Sequence, residues 1–271
     1  MGVTTSQQLQ SYFDAYGSVE VTFNKEVTQL LSFLQEKVFL KVAGVDWPCL
    51  LYSSSLVGAK IVLTLKPEQI SRLEAGSPTC QLRYGFRNPD SPEPVVFFTN
   101  VKIKAWNRYN NGAKNDLYFM TLEFTTRPPE DLIEILGRFL EANVNSQKRR
   151  DERITVNEVS IKKLGFTSCN AIVAVEKIDR KCLVRDLSFG GAQVLLPGVA
   201  KFLENRAIVL RLTVEETGQV LSLAGKILRV ETLAGRRDIT QSSLQFEDAA
   251  VPHQYKVLIN EALRLQKTKQ G

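Results

Sequence analysis

A chain of 271 residues is long for one compact core and comfortable for two domains of roughly 130 residues each. With 44% hydrophobic and 24% charged residues it is ordinary globular material, which excludes a disordered tail. Residues 1–145 carry 14 Lys and Arg against 15 Asp and Glu, and residues 146–271 carry 21 against 14, so the positive excess belongs to the second half and points to an anionic partner there.

The N-terminal MGVTTSQQLQSYF lacks the basic-then-apolar order of a signal peptide, and Gly2 followed by Ser6 is only a weak lipidation pattern. SQQLQSYFDAYG places Leu9, Tyr12, Phe13 and Tyr16 at helical spacing, and KEVTQLLSFLQEK does the same with Val27, Leu30, Leu31 and Leu34. The signal then turns to β in VFLKVAGV, PCLLYSSSLVGAKIVLTL, TCQLRYGF, PVVFFTNVKIKAW and LYFMTLEF, separated by Gly, Pro, Asn and Asp clusters. Short strands at this spacing predict a small barrel or sandwich. TTRPPEDLIEILGRFLEANVN starts a helix, with Pro129 and the acids Glu130 and Asp131 at its first turn. Its apolar set runs from Leu132 to Leu140 and stops before the polar NVNSQ, which sets a domain boundary near residue 145, with 143–148 as linker.

The second half again reads mostly as strands: ITV, GFTSCNAIVAV, KCLVRDLS, AQVLLP, AIVLRLTVEE, QVLSLAGKILRVETL and SSLQF. VPHQYKVLINEALRLQKTK closes the chain as an amphipathic helix through Val257, Leu258, Ala262 and Leu265. The expected fold is mainly β, two small barrel-like domains, the second followed by a C-terminal helix. No apolar run approaches the roughly 18 residues of a membrane span. Cys49, Cys80, Cys169 and Cys182 form no CxxC pair, so a reduced cytoplasmic protein with buried thiols is expected.

Catalytic signatures are lacking. The one histidine, His253, sits at a helix start beside a proline, reads as a surface residue and supports neither a triad nor a metal site. HExxH, GxSxG and GxGxxG do not occur, and Gly218 with Gly225-Lys226 fails as a phosphate loop because six residues part the glycines and Ile227 replaces Ser or Thr. Glu215-Glu216 and Glu247-Asp248 read as turn acids. An enzyme is not expected, nor a metal.

Two segments stand out as candidates for binding chemistry, although a charge run is usually a solvated linker and RxxxR by itself occurs by chance in many chains. SQKRRDERITV packs four cations into the six positions from Lys148 to Arg153. Arg149 and Arg153 stand four apart, a spacing that keeps two side chains on one side of a helix or a strand. Guanidiniums suit phosphate oxygens and the O6/N7 edge of guanine, and stack on purines. In VRDLSFGGAQV, Asp186, Ser188, Gly190 and Gly191 crowd into one turn between two strands. A plain hairpin explains this segment through local Asp and Ser bonds and a glycine at φ > 0. The functional reading adds two things to the hairpin: a carboxylate here accepts from the N1 and N2 hydrogens of guanine, and glycine lets a ligand approach the backbone.

RxxxR (Arg149, Arg153) entering a β-domain, followed about thirty residues later by DxSxxG (Asp186, Ser188, Gly191), closely resembles the PilZ family of cyclic di-GMP receptors. The likeness covers about residues 147–268 and continues through Ala192, the GKILRV segment and an LQF strand followed by a helix. It departs at Ser243, where the family often has Gly. The first half resembles the β-rich accessory domain that precedes PilZ in two-domain members. The resemblance implies cyclic di-GMP as the ligand, with Arg149 and Arg153 on its phosphates and Hoogsteen edges, Asp186 and Ser188 on a guanine, and Gly191 shaping the turn. Gln147, Lys148, Arg150 and Gly190 are assigned as further contacts, and a basic Lys148 goes in the family with two intercalated nucleotides. It also implies a conformational output at NVNSQKRR and a downstream protein target in flagellar, polysaccharide or regulatory machinery, with consequences for motility or virulence. A nucleic-acid partner is the less favoured alternative, and a monomer or weak dimer is expected.

Overall fold

The computed structural model describes residues 5–76, 80–88, 91–108, 116–233 and 235–268, with the side chains of Arg237, Lys267 and Thr268 left aside. Thr79 and Lys269, at the ends of an expected strand and the expected last helix, lie outside them, as does the Gly2 segment. The chain divides into two compact units, residues 1–141 and 142–271.

The first unit opens with α1 (Ser6–Tyr16), started by a capping box in which the Thr5 hydroxyl and the Gln8 side chain take each other's backbone N–H groups. β1 (Val21–Thr22) and α2 (Lys25–Leu30) follow. Next come β2 (Phe39–Val42), β3 (Val45–Pro48), β4 (Leu50–Ser54), β5 (Gly58–Thr64), α3 (Pro67–Glu74), β6 (Cys80–Phe86), β7 (Val95–Arg108) and β8 (Leu117–Phe124). They form one antiparallel eight-stranded sheet in the order β1-β4-β5-β8-β7-β6-β2-β3. Its core gathers Trp47, Tyr84, Leu40 and Met120 with Leu9 and Tyr12 of α1.

Three expectations change here. The second helix is shorter than its apolar periodicity: it stops at Leu30, Ser32 takes a left-handed φ of 52°, and Phe33 leaves to bridge Phe86. Aromatic packing explains this, because Phe33 stacks with Phe23 and Phe86 at centroid distances of 4.7 and 5.3 Å. VFLKVAGV is not one strand but most of a hairpin, turned at Ala43 and Gly44 with φ of 47° and 84°. PCLLYSSSLVGAKIVLTL likewise holds both β4 and β5.

The helix expected to end before NVNSQ, α4 (Glu130–Lys148), continues through those residues. Residues 143–148, read as linker, are its last turns. The polar residues that looked like a helix end have partners on α6 (His253–Thr268). Buried Asn145 donates from Nδ2 to Asn260 Oδ1 at 2.8 Å, and Asn143 Oδ1 lies 2.9 Å from His253 Nδ1. His253 is therefore a half-buried bonded residue, not a surface one.

The second unit continues with β9 (Ile154–Thr155), α5 (Glu158–Lys163), β10 (Asn170–Val175), β11 (Ile178–Leu187), β12 (Gly191–Pro197), β13 (Ala207–Thr213), β14 (Val220–Leu233) and β15 (Arg236–Phe246). The order β10-β13-β14-β15-β12-β11, closed by the β10–β11 pairing, makes a six-stranded barrel, and β9 attaches outside to β11. Alternate residues such as Val173, Val194, Leu210, Leu223 and Leu244 fill it. Ser243 sits beside the bulge where β14 shifts register against β15 between Ile227 and Arg229. The α6 residues Tyr255, Ile259 and Leu263 are fully buried in the same core. All four cysteines are buried and outside any disulfide, and burial pushes the Cys49 and Cys182 thiols up to about 12. Among the described residues no helix is long and apolar enough to cross a membrane.

Candidate functional site

The arginine segment begins where α4 ends. Arg149 N–H still bonds Asn145 O at 2.8 Å, but residues 149–151 form a turn and Arg153 is the residue just before β9. The two arginines therefore lie on neither a helix face nor a strand face, and their spacing of four works through a turn. Gln147 and Lys148 are exposed on the last turn of α4. Arg149 is half-exposed and faces Glu152, with Nε 4.0 Å from Oε2.

Strand register brings the second arginine to the other motif. β9 pairs with the end of β11, Ile154 opposite Leu187 and Thr155 opposite Asp186. Arg153, one residue before β9, thus reaches Asp186, and its Nη1 donates to Oδ1 at 2.6 Å. The carboxylate is aimed by its own strand: β11 shifts register between Val184 and Asp186, and the same Oδ1 accepts the Gln193 N–H at 3.0 Å. Asp186 is mostly buried, at 16% side-chain exposure, against 44% for Arg153.

The turn after Asp186 is tight and inward. Ser188 N–H and Oγ–H both donate to Gly191 O, at 2.8 and 3.2 Å, and Ser188 is buried. Tyr255 Oη, from α6, donates to Ser188 O at 2.8 Å. Burial holds this phenol well above its ordinary range, and the Asp186 charge adds to the effect. Tyr255→Phe should cost about 1 kcal/mol of stability, since it leaves the Ser188 carbonyl unpaired inside the barrel. A denaturant melt checks this, and an unchanged midpoint would remove the bond from the account.

The glycines are required by space, not by φ, since neither Gly190 nor Gly191 has a positive φ. A Cβ on Gly191 would lie 2.2 Å from the Leu244 carbonyl oxygen across the β12–β15 pair. A Cβ on Gly190 would meet Arg150 Cγ at 2.6 Å and Nε at 2.7 Å. Gly190 N–H also donates to Arg150 O at 3.0 Å, and Phe246 N–H to Gly190 O at 2.9 Å. Arg150 lies across the turn, its Nη1 paired with Asp248 Oδ2.

Arg150, Arg153, Asp186, Ser188, Gly190 and Gly191 are thus one hydrogen-bonded and packed group at one end of β11 and β12. The PilZN3 domain family matches residues 7–143 and the PilZ domain family residues 147–261. The chain belongs to the PilZ family. A relative from Treponema denticola described as a cyclic di-GMP binding protein is 37% identical over 96% of this chain and 83% of its own. Among solved structures, the Borreliella burgdorferi PlzA protein in complex with c-di-GMP is 22% identical, covering 95% of this chain and 98% of that chain at a TM-score of 0.41. YcgR from Escherichia coli, also in complex with c-di-GMP, is 12% identical over 99% of this chain and 97% of that chain, with a TM-score of 0.31.

Two residues that bond to the motif segments, Asp248 and Tyr255, were not legible as their partners. Asp248 read only as a turn acid, because nothing near it in sequence points to Arg150, 98 residues earlier. Tyr255 read as part of a helix rather than as the prop beneath Ser188. A separate cleft of about 770 Å³, bordered by residues of all six barrel strands, has none of the motif residues in its lining. Among the described residues no cluster of His, Cys, Asp and Glu could hold a metal.

Proposed function

We propose that this PilZ protein is a receptor for cyclic di-GMP and not an enzyme, with the nucleotide held between the arginine segment and the DxSxxG turn. The convergence of Arg153 on Asp186 carries the reading, because it joins two motifs 33 residues apart into a donor and acceptor pair. Guanidiniums at Arg149 and Arg153 suit the phosphates and the guanine O6/N7 edge. Asp186 accepts from a guanine N1/N2 edge, Ser188 adds a polar contact, and Gly190 and Gly191 keep the turn flat enough for a base. Gln147, Lys148 and Arg150 supply the outer contacts. The description of the Treponema relative as a cyclic di-GMP binding protein supports the ligand choice.

Titration calorimetry of the full chain with cyclic di-GMP tests this, with binding expected and two nucleotides per chain from the basic Lys148. A ratio of one would overturn the two-nucleotide reading, and no heat at all would overturn the receptor reading.

The output is a change in the arrangement of the two domains, passed to a flagellar, polysaccharide or regulatory target. The arginine segment follows α4 without an intervening linker, so a ligand that fixes residues 149–153 acts directly on the joining helix. Small-angle scattering is expected to differ with and without ligand, and superimposable profiles would count against this output.

A further inference from the structure

We infer that Asp248 is a further determinant of this site: it latches Arg150 across Gly190 in the free protein, and the nucleotide competes with it for that arginine. The competition rests on the cyclic di-GMP reading, whereas the latch stands on the free protein alone. Asp248 opens a short 3-10 turn (Asp248–Ala250) two residues after β15 ends at Phe246. Three segments meet there through backbone bonds, Phe246 N–H to Gly190 O and Gly190 N–H to Arg150 O, at 2.9 and 3.0 Å. The Arg150 side chain then runs back over Gly190, against the face where a Cβ would stand, and ends on the Asp248 carboxylate. The residues so joined are 98 apart in sequence.

The chemistry suits an exchangeable latch. Both partners are partly solvated, Arg150 at 35% and Asp248 at 64% side-chain exposure, and such pairs are weak. A ligand phosphate offers Arg150 an anion of the same kind with bidentate geometry. Asp248 meanwhile sets a negative charge beside the turn, where it opposes an incoming phosphate and neutralises one cation of the arginine segment. The free site is thereby held closed on itself, and the ligand must take Arg150 from its internal acid.

Asp248→Asn tests both halves. In the free protein, amide hydrogen exchange at Gly190, whose N–H bonds Arg150 O, is expected to quicken. Cyclic di-GMP affinity is expected to rise about threefold or more. Glu176→Gln removes the same charge from a distant exposed pair with Arg206 and should change neither. In an Arg150→Gln background the Asp248→Asn gain should vanish, and its persistence would reduce the effect to bulk charge and overturn the competition. Weaker binding by Asp248→Asn would also overturn competition, while unchanged Gly190 exchange would overturn the latch. If the wild-type chain takes up no cyclic di-GMP, the receptor reading fails and with it the competition, and the exchange experiment still decides the latch.

Discussion

Arg153→Ala is expected to weaken cyclic di-GMP binding tenfold or more while leaving the melting temperature within a few degrees of wild type. A bidentate arginine contact to guanine or phosphate is worth about 1–3 kcal/mol, and removing the side chain loses it outright. The loss to folding is smaller. Arg153 is 44% exposed, and its pair with Asp186 is the kind of partly solvated ion pair that contributes at most about 1 kcal/mol. Asp186 keeps one partner in the variant, the Gln193 N–H at 3.0 Å, so its carboxylate is not stranded. Calorimetric titration beside a thermal melt separates the two effects. Unchanged affinity would take Arg153 out of the site, and a large drop in melting temperature would make its role structural.

Gly191→Ala should have the largest effect on folding. The added Cβ would stand 2.2 Å from the Leu244 carbonyl oxygen, a backbone atom held in the β12–β15 pairing. No rotamer change relieves that contact, so the strands must part. Overpacking of this kind costs about 1–3 kcal/mol. For a unit of this size that lowers the melting temperature by about 4–10 °C. Nucleotide binding should weaken with it, because Ser188 N–H and Oγ–H both bond the Gly191 carbonyl. Differential scanning calorimetry checks the first effect and titration the second. A variant as stable as wild type would mean that β12 yields freely and that the glycine is not needed for space.

Local chemistry made much of this legible before any coordinates. RxxxR and DxSxxG are short contiguous runs that become legible when read together in order and spacing, and alternation of apolar residues marked most of the barrel strands. What went unread depended on partners far along the chain. The periodicity of KEVTQLLSFLQEK continues past Leu30, yet Phe33 leaves the helix because two aromatic rings lie elsewhere to receive it. The asparagines of NVNSQ looked like the end of a helix because their partners, Asn260 and His253, lie more than a hundred residues on. The short elements α3, α5 and β1 carry too few apolar positions to show a period.

Residue types alone thus determined the β-rich character, the family and the two motifs, because each is written in contiguous residues. Tertiary structure alone decided how the motifs meet. The β9–β11 register sets Arg153 on Asp186, and the end of β15 sets Asp248 on Arg150. It also decided why the turn needs glycine: the Leu244 carbonyl and the Arg150 side chain fill the space that any Cβ would occupy. Such exclusions arise between strands distant in sequence, where no local pattern records them.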